Sequence, residues 1–121
     1  MLTPDSAGGW VILLGVILPT IAVVEELLFR GAAIGAMAVG FDVPVALLVV
    51  VSSVAFGGAH GAQGRTGAVV ATTLGLVLAV MFVLSGSLLT VIIAHYLVNA
   101  LEFVVHEGLA VERPVGRGRF G

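Results

Sequence analysis

The sequence predicts an all-α integral membrane protein, folded as a helical bundle of about four transmembrane helices. Apolar residues make up 60% of the 121-residue chain and charged residues 10%, whereas a soluble domain carries about 25% charged residues. The mean hydropathy is +1.22. Asp, Glu, Lys and Arg are absent from residues 6–24, 43–64 and 66–101. A helix needs about 20 apolar residues to cross the hydrocarbon core, so the last stretch is long enough for two spans.

Turn residues divide these stretches into four predicted helices. The helices cover about residues 10–39, 45–60, 68–84 and 88–106, and the connecting segments are 40–44, 61–67 and 85–87. The first helix begins near Trp10, a residue type favoured at the membrane interface, and Pro19 is expected to kink it. A single membrane domain takes in residues 1–111, and the arginine-rich tail 112–121 is expected to be disordered.

The placement of arginines predicts the orientation in the membrane. Arg65 lies in the second connecting segment and three more arginines lie in the tail, and four spans put both segments on one side. The positive-inside rule makes that side, and both termini, cytoplasmic in a multi-pass cell membrane protein. The N-terminus has no positive residue before its apolar run, so no cleaved signal peptide is expected. The net charge of −2 suggests no nucleic-acid partner, and the absence of cysteine excludes disulfides and thiolate metal sites.

Three polar motifs lie inside the predicted spans, where lipid would disfavour isolated charges. They are Glu25-Glu26-x-x-x-Arg30, Phe56-x-x-x-His60 and His95-x-x-x-Asn99. Glu26 and Arg30 are four residues apart, so they share one helix face and can pair. Glu25 points about 100° away from Glu26 and has no obvious local partner. An unpaired carboxylate within a membrane span indicates a functional site.

The functional interpretation requires the three motifs to reach similar depths. If the first helix continues past Arg30, Glu25 lies roughly 21 Å and His60 roughly 24 Å from the first turn, at about 1.5 Å per residue. His95 and Asn99 lie roughly 12 and 18 Å from the last turn, and helix tilt covers the remaining difference. A first helix that ended at Arg30 would instead place Glu25 and His60 near opposite membrane faces.

One carboxylate, two imidazoles and one carboxamide at a common depth meet the needs of peptide-bond hydrolysis. A glutamate can act as a general base that takes a proton from water, and a pair of donors can stabilise the oxyanion. Alternatively, Glu25, His60 and His95 provide three ligands for a divalent metal such as zinc, whose catalytic sites keep one open position. The residues leave both mechanisms open.

The three motifs, in this order and each in its own span, resemble those of the CAAX protease and bacteriocin-processing (Abi) family. This family of intramembrane proteases includes the type II CAAX prenyl endopeptidases. The surrounding residues Glu25-Glu26-Leu27-Leu28-Phe29-Arg30-Gly31 and Ser85-Gly86-Ser87-Leu88 also fit, and the resemblance covers about residues 20–103. It implies an intramembrane endopeptidase whose substrates are peptides or membrane proteins, among them prenylated CAAX-type substrates.

The resemblance also implies a role for the motif residues. Glu25 and His60 would position and activate the water, and His95 with Asn99 would form the oxyanion site. Relatives usually carry further helices, often before the first motif. A minimal member, a truncated product and a core that needs additional helices or a partner subunit therefore all stay open.

The remaining polar residues of the spans receive supporting or peripheral interpretations. By the resemblance, Glu26 is a supporting carboxylate held by Arg30, and Phe56 is expected to pack against the second-motif histidine. Glu102, one turn beyond the third motif, lies either at a water-filled entrance or at the membrane interface. His106 is expected at the cytoplasmic end of the fourth helix, without a catalytic role.

Two other function classes stay open. A buried ion pair is a common structural device, and a lone histidine in a span more often forms a packing hydrogen bond. The chain could therefore be a non-catalytic bacteriocin-immunity or scaffold protein, which should work without Glu25. Buried glutamates and histidines also relay protons, and a small proton conduit should work without Asn99.

Overall fold

The computed structural model describes residues 4–112, and this part of the chain is helical, without a strand. The four helices are α1, Ala7–Phe41; α2, Val45–Ala59; α3, Gly64–Ser85; and α4, Leu88–Glu112. Three helices are long and apolar enough to cross a membrane, and α2 is a shorter apolar helix. The predicted all-α membrane bundle is confirmed.

Helix α1 continues past Arg30, as the shared-depth interpretation requires. It begins after Ser6, whose hydroxyl accepts a hydrogen bond from the amide of Gly9 at 3.0 Å. It ends at Phe41, because Asp42 adopts a left-handed conformation with φ of 55° that does not propagate a helix. The prediction that the first helix extends beyond Arg30 is therefore confirmed.

The backbone of α1 is irregular in two places, Leu13–Ile17 and Leu27–Ala36, where it forms π-helical turns. The first ends two residues before Pro19, whose ring nitrogen has no hydrogen to donate. In the second, the carbonyl of Phe29 accepts a hydrogen bond at 2.6 Å from the hydroxyl of Ser52 in α2. This bond satisfies a backbone group inside the membrane and joins α1 to α2.

The connection between α2 and α3 is shorter than the predicted loop. A single 3₁₀ turn, Gly61–Gln63, joins the two helices, so Arg65 lies in the first turn of α3 rather than in a loop. A Cβ atom at Gly67 would lie 2.6 Å from the Cβ of Gln63. The missing side chain of Gly67 lets the first turn of α3 close against Gln63.

The turn between α3 and α4 lies at the predicted position. Gly86 has a left-handed φ of 65°, and its amide donates to the carbonyl of Phe82 at 2.8 Å. The hydroxyl of Ser87 then accepts from the amide of Thr90 at 3.1 Å, which caps α4. Helix α4 extends beyond the predicted end at residue 106, and the tail predicted as disordered lies, from residue 113 on, outside the described residues.

Helices α2 and α3 pack closely because glycines remove side chains from their contact. A Cβ atom at Gly57 would overlap the hydroxyl of Thr72, and a Cβ atom at Gly75 would lie 3.0 Å from the ring of Phe56. A buried apolar cluster formed by Ile34, Leu48 and Ala79 joins these two helices to α1. The close approach of α3 also brings the backbone of Gly75 near the polar residues of α1.

Candidate active site

The three polar motifs meet at one cavity of about 700 Å³. Glu25 comes from α1, His60 directly follows α2, and His95 and Asn99 come from α4. All four residues line the cavity, with His95 buried and the others partly exposed. Three separate helices therefore bring a carboxylate, two imidazoles and a carboxamide to a common wall.

The Glu25 carboxylate lies between the two imidazoles. Its Oε1 is 3.3 Å from Nε2 of His95, and its Oε2 is 3.9 Å from Nε2 of His60. The second distance is too long for a direct hydrogen bond, but it leaves both atoms within reach of one water molecule. The Glu25 side chain is 28% exposed, so its carboxylate is accessible from the cavity.

A backbone carbonyl fixes which nitrogen of His60 faces Glu25. Nδ1 of His60 donates to the carbonyl oxygen of Phe56 at 2.7 Å, because a carbonyl can only accept. In the neutral ring, Nε2 is therefore the acceptor and faces Glu25. The buried Phe56 ring packs against His60 and His95, with centroid distances of 4.6 and 5.7 Å. Phe56 thus supports both imidazoles.

Glu26 faces a buried polar network instead of the cavity. Its Oε2 accepts from Nη1 of Arg30 at 3.1 Å and from Nδ1 of His95 at 2.6 Å. Nη2 of Arg30 donates to the carbonyl of Gly75 at 2.6 Å, and its guanidinium carbon lies 4.8 Å from the centre of the Phe56 ring. Both side chains of the ion pair are fully buried. The spacing of Glu26 and Arg30 in the sequence predicts this pair, but not the contributions of His95 and Gly75.

His95 connects the two neighbouring carboxylates. Nδ1 donates to Glu26, and Nε2 faces Glu25 on the cavity side. The hydrogen bond to Glu26 fixes the orientation of the ring, so that Nε2 is presented to the cavity. The doubly protonated ring has donors at both nitrogens, whereas the neutral ring with the proton on Nδ1 has an acceptor at Nε2. No local sequence signal identifies this contact, because its partners lie on different helices.

The rest of the cavity wall has a polar part and an apolar part. Glu102 and His106 extend the wall along α4, and Gln63 and Thr66 face it from the α2–α3 connection and the start of α3. Glu102 thus lines the cavity with an exposed side chain. The apolar part of the wall is formed by Leu18, Ile21, Val70, Ala71, Leu74 and Phe103.

The donor atoms do not form a ready-made zinc site. Among the described residues, no three His, Asp or Glu side chains are arranged to hold a metal ion. Glu25 presents one carboxylate oxygen to His95 and the other to His60. The Nδ1 atom of each imidazole is bonded to Phe56 or to Glu26, which leaves Nε2 as the atom of each ring that a metal ion could use.

Comparison with known proteins agrees with the motifs and the helical architecture. The family described as type II CAAX prenyl endopeptidase Rce1-like matches residues 7–101, which include all three motifs. No curated protein and no solved structure matches the chain. The family and the apolar helices indicate a multi-pass membrane protein. Since the match covers most of the sequence, the chain belongs to the Rce1-like family of type II CAAX prenyl endopeptidases.

Proposed function

We propose that this chain is an intramembrane endopeptidase that cleaves membrane-associated or prenylated CAAX-type substrates with a water activated by Glu25 and His60. Membership of the family supports the reaction class. The observation that carries the residue assignment is the position of the Glu25 carboxylate, 3.9 Å from Nε2 of His60 and 3.3 Å from Nε2 of His95. This group lines a cavity inside an apolar helical bundle.

In the proposed reaction, the water lies between Oε2 of Glu25 and Nε2 of His60. Glu25 accepts one proton from the water while the water oxygen attacks the carbonyl carbon of the scissile bond. His60 accepts a hydrogen bond from the second hydrogen of the water. The carbonyl oxygen takes the negative charge. Glu25 then gives its proton to the leaving amine, and the C–N bond breaks. The products are one carboxylic acid and one amine.

Asn99 and His95 would stabilise the oxyanion in this reaction. The Asn99 carboxamide donates from its nitrogen, and the doubly protonated His95 ring donates from Nε2 while Nδ1 stays bonded to Glu26. Oε2 of Glu26 accepts from both this ring and Arg30, which holds Glu26 in place. The buried network behind the cavity thus positions a donor that acts inside it.

The apolar part of the wall suits a substrate with large apolar groups next to the scissile bond. Leu18, Ile21 and Phe103 provide an apolar surface on the same cavity as the catalytic candidates. A prenyl chain or the apolar side chains of a membrane-associated peptide would lose water contact there, at about 25 cal/mol for each Å² of apolar surface buried. Lipid and a peptide or membrane-protein substrate are therefore the proposed partners.

A reconstituted cleavage assay tests this proposal. The wild-type chain and Glu25→Gln are placed in liposomes with fluorogenic peptides, prenylated and unprenylated. Asp42→Asn, in the turn after α1, serves as a control for the loss of one acid away from the cavity. Cleavage by the wild type and the control, but not by Glu25→Gln, is expected. Equal cleavage by the wild type and Glu25→Gln would overturn the assignment. Inhibition by a chelator that added zinc reverses would favour the metal alternative over a glutamate mechanism.

The same liposomes separate the two other function classes. A proton conduit would dissipate an imposed pH gradient, and Asn99→Ala would leave that flux intact. A scaffold or immunity protein would retain its protective or binding activity in Glu25→Gln. Loss of peptide cleavage in both variants, without proton flux in the wild type, is expected for the protease.

We also propose that both termini and Arg65 lie in the cytoplasm. The proposal follows from the position of Arg65 at the start of α3 and from the three arginines that follow α4 in the sequence. Cysteines introduced singly at Ser85 and Ser87, in the turn at the opposite end, should react with an impermeant reagent added to intact cells. Reaction only after permeabilisation would reverse the orientation.

A further inference from the structure

Glu102 is the second carboxylate on the cavity wall, and the proposed reaction does not use it. It follows His95 and Asn99 along the same side of α4, and all three line the cavity. Nδ1 of His106 donates to the backbone carbonyl of Glu102 at 3.1 Å, so this hydrogen bond does not involve the Glu102 carboxylate. The Glu102 side chain is exposed, so its carboxylate is available to a substrate.

The charges around Glu102 leave the cavity wall acidic. Among the described residues that line the cavity, the formally charged ones are Glu25 and Glu102, and none is a lysine or arginine. Arg30 is buried in its pair with Glu26, and Arg65 is exposed at the start of α3, outside this wall. With His95 doubly protonated, as in the proposed reaction, and the other histidines neutral, Glu25 and Glu102 still leave one net negative charge on the wall. Low-dielectric walls strengthen the field of this charge on a bound peptide.

The spacing along α4 places this charge at a defined distance from the scissile bond. Glu102 is seven positions after His95, which corresponds to roughly 10 Å along a helix. An extended peptide advances about 3.3 Å per residue, so this distance corresponds to about three substrate residues. We infer that Glu102 is a specificity-determining residue, which favours peptides with a cationic side chain about three residues from the scissile bond and disfavours a carboxylate there.

This inference rests on the proposed function, and matched peptides can test it. Each peptide set carries Lys, Gln or Glu three residues before or three residues after the scissile bond and is otherwise identical. The variants are Glu102→Gln and the control Asp42→Asn, which removes an exposed acid from the turn after α1 and keeps a residue type that tolerates the left-handed conformation. Cleavage is measured at low and high salt.

The wild type is expected to cleave the Lys peptide roughly three- to tenfold more efficiently than the Glu peptide, as for one partly screened charge pair, in one of the two sets. The difference should lie mainly in KM and shrink at high salt. Glu102→Gln should reduce it to below about twofold by the same reasoning, while Asp42→Asn should retain it. An unchanged preference in Glu102→Gln, no preference in the wild type, or an equal loss in Asp42→Asn would each overturn the inference.

A binding measurement separates this inference from the proposed function. Fluorescence anisotropy of the same labelled peptides on Glu25→Gln, with and without Glu102→Gln, reports charge preference without cleavage. If the wild type cleaves none of the peptides but binding favours Lys and this depends on Glu102, the proposed reaction fails and Glu102 remains a selector of bound peptides. Binding without a charge preference would contradict the role of Glu102, whatever the outcome of the cleavage assay.

Discussion

Glu25 and Glu26 are adjacent in sequence, yet their carboxylates lie in different surroundings. The Glu25 side chain is 28% exposed and lines the cavity, whereas the Glu26 side chain is fully buried. Glu25 lies 3.3 and 3.9 Å from two imidazole nitrogens, at distances that leave room for a change of partner. Glu26 is held by Arg30 and His95 at 3.1 and 2.6 Å. One carboxylate is accessible to substrate, and the other is fixed.

Helix geometry produces this difference from a single-residue step. Consecutive residues of a helix point about 100° apart, so two adjacent acids cannot face the same environment. The residue one turn after Glu26 is Arg30, whereas the residue one turn after Glu25 is Phe29, which cannot neutralise a carboxylate. Glu25, the candidate base, and Glu26, the supporting carboxylate, therefore face different surroundings. Substitutions around the one should have different consequences from substitutions around the other.

The largest effect on activity is expected from Glu25→Gln. The amide keeps the shape of the side chain but cannot accept a proton from water, so the cleavage rate should fall by roughly 10²–10⁴-fold, the usual contribution of a general base. Expression and thermal stability in detergent should stay near those of the wild type, because Glu25 is not part of the buried ion pair. Full activity with normal folding would remove Glu25 from the role of base.

Arg30→Ala is expected to act on folding instead of on the chemical step. It leaves Glu26 charged and buried without its guanidinium partner, and breaking a buried pair in this way costs about 3–5 kcal/mol. The measurement is the yield of monodisperse protein and its unfolding midpoint. Normal yield and an unchanged midpoint would show that the pair contributes little to stability.

Replacing Glu26 and Arg30 together by leucine gives a sharper comparison. Both charges disappear at once, so much of the lost yield should return. Cleavage should remain low, because Nδ1 of His95 then lacks the acceptor that fixes its ring. A double variant that recovers folding and full activity would limit Glu26 to a structural role.

A smaller loss of activity is expected from Asn99→Ala. Loss of one oxyanion donor in other proteases reduces kcat by about 10²–10³-fold, and the same loss is expected here with little change in KM. Leu101→Ala on the same helix is the control, because that side chain is exposed and does not line the cavity. An Asn99→Ala effect confined to KM would indicate substrate binding in place of oxyanion stabilisation.

The sequence was sufficient for the architecture and for the residues that share the cavity. The charge-free stretches define the helices, and the rise per residue matches the depths of Glu25 and His60 once α1 continues past Arg30. These features are local or follow from helix geometry, so a single sequence contains them. Whether the shared residues catalyse a reaction stays a prediction.

The contacts behind the site could not be read in the same way. The bond from His95 to Glu26 and the bond from Arg30 to the carbonyl of Gly75 join different helices, and periodicity along one helix does not specify its neighbours. The sequence does not predict the early start of α3, because the glycines of its first turn are typical of a loop.

The smallest effect is expected from Ser52→Ala, which removes a hydrogen bond between α2 and α1. It tests whether Glu26 is held in place by its charged partners or by the packing of α1 against α2. The Ser52 hydroxyl donates to the carbonyl of Phe29 at 2.6 Å, next to Arg30 but without contact to a charged group. Its loss leaves one buried carbonyl without this donor and should cost about 0.6–1.5 kcal/mol, with cleavage within about twofold of the wild type.

Ser53→Ala is the matched control on the same helix. The Ser53 hydroxyl is also buried, but it donates to the carbonyl of Val49 one turn earlier in α2, which already belongs to the helical backbone. Its removal should therefore cost less than that of Ser52, because no contact between helices is lost. Unfolding midpoints of the two variants in one detergent give the comparison. If Ser52→Ala destabilised the protein as much as Arg30→Ala, the attachment of α1 to α2 would be the main support of the site, and charge pairing at Glu26 would be secondary.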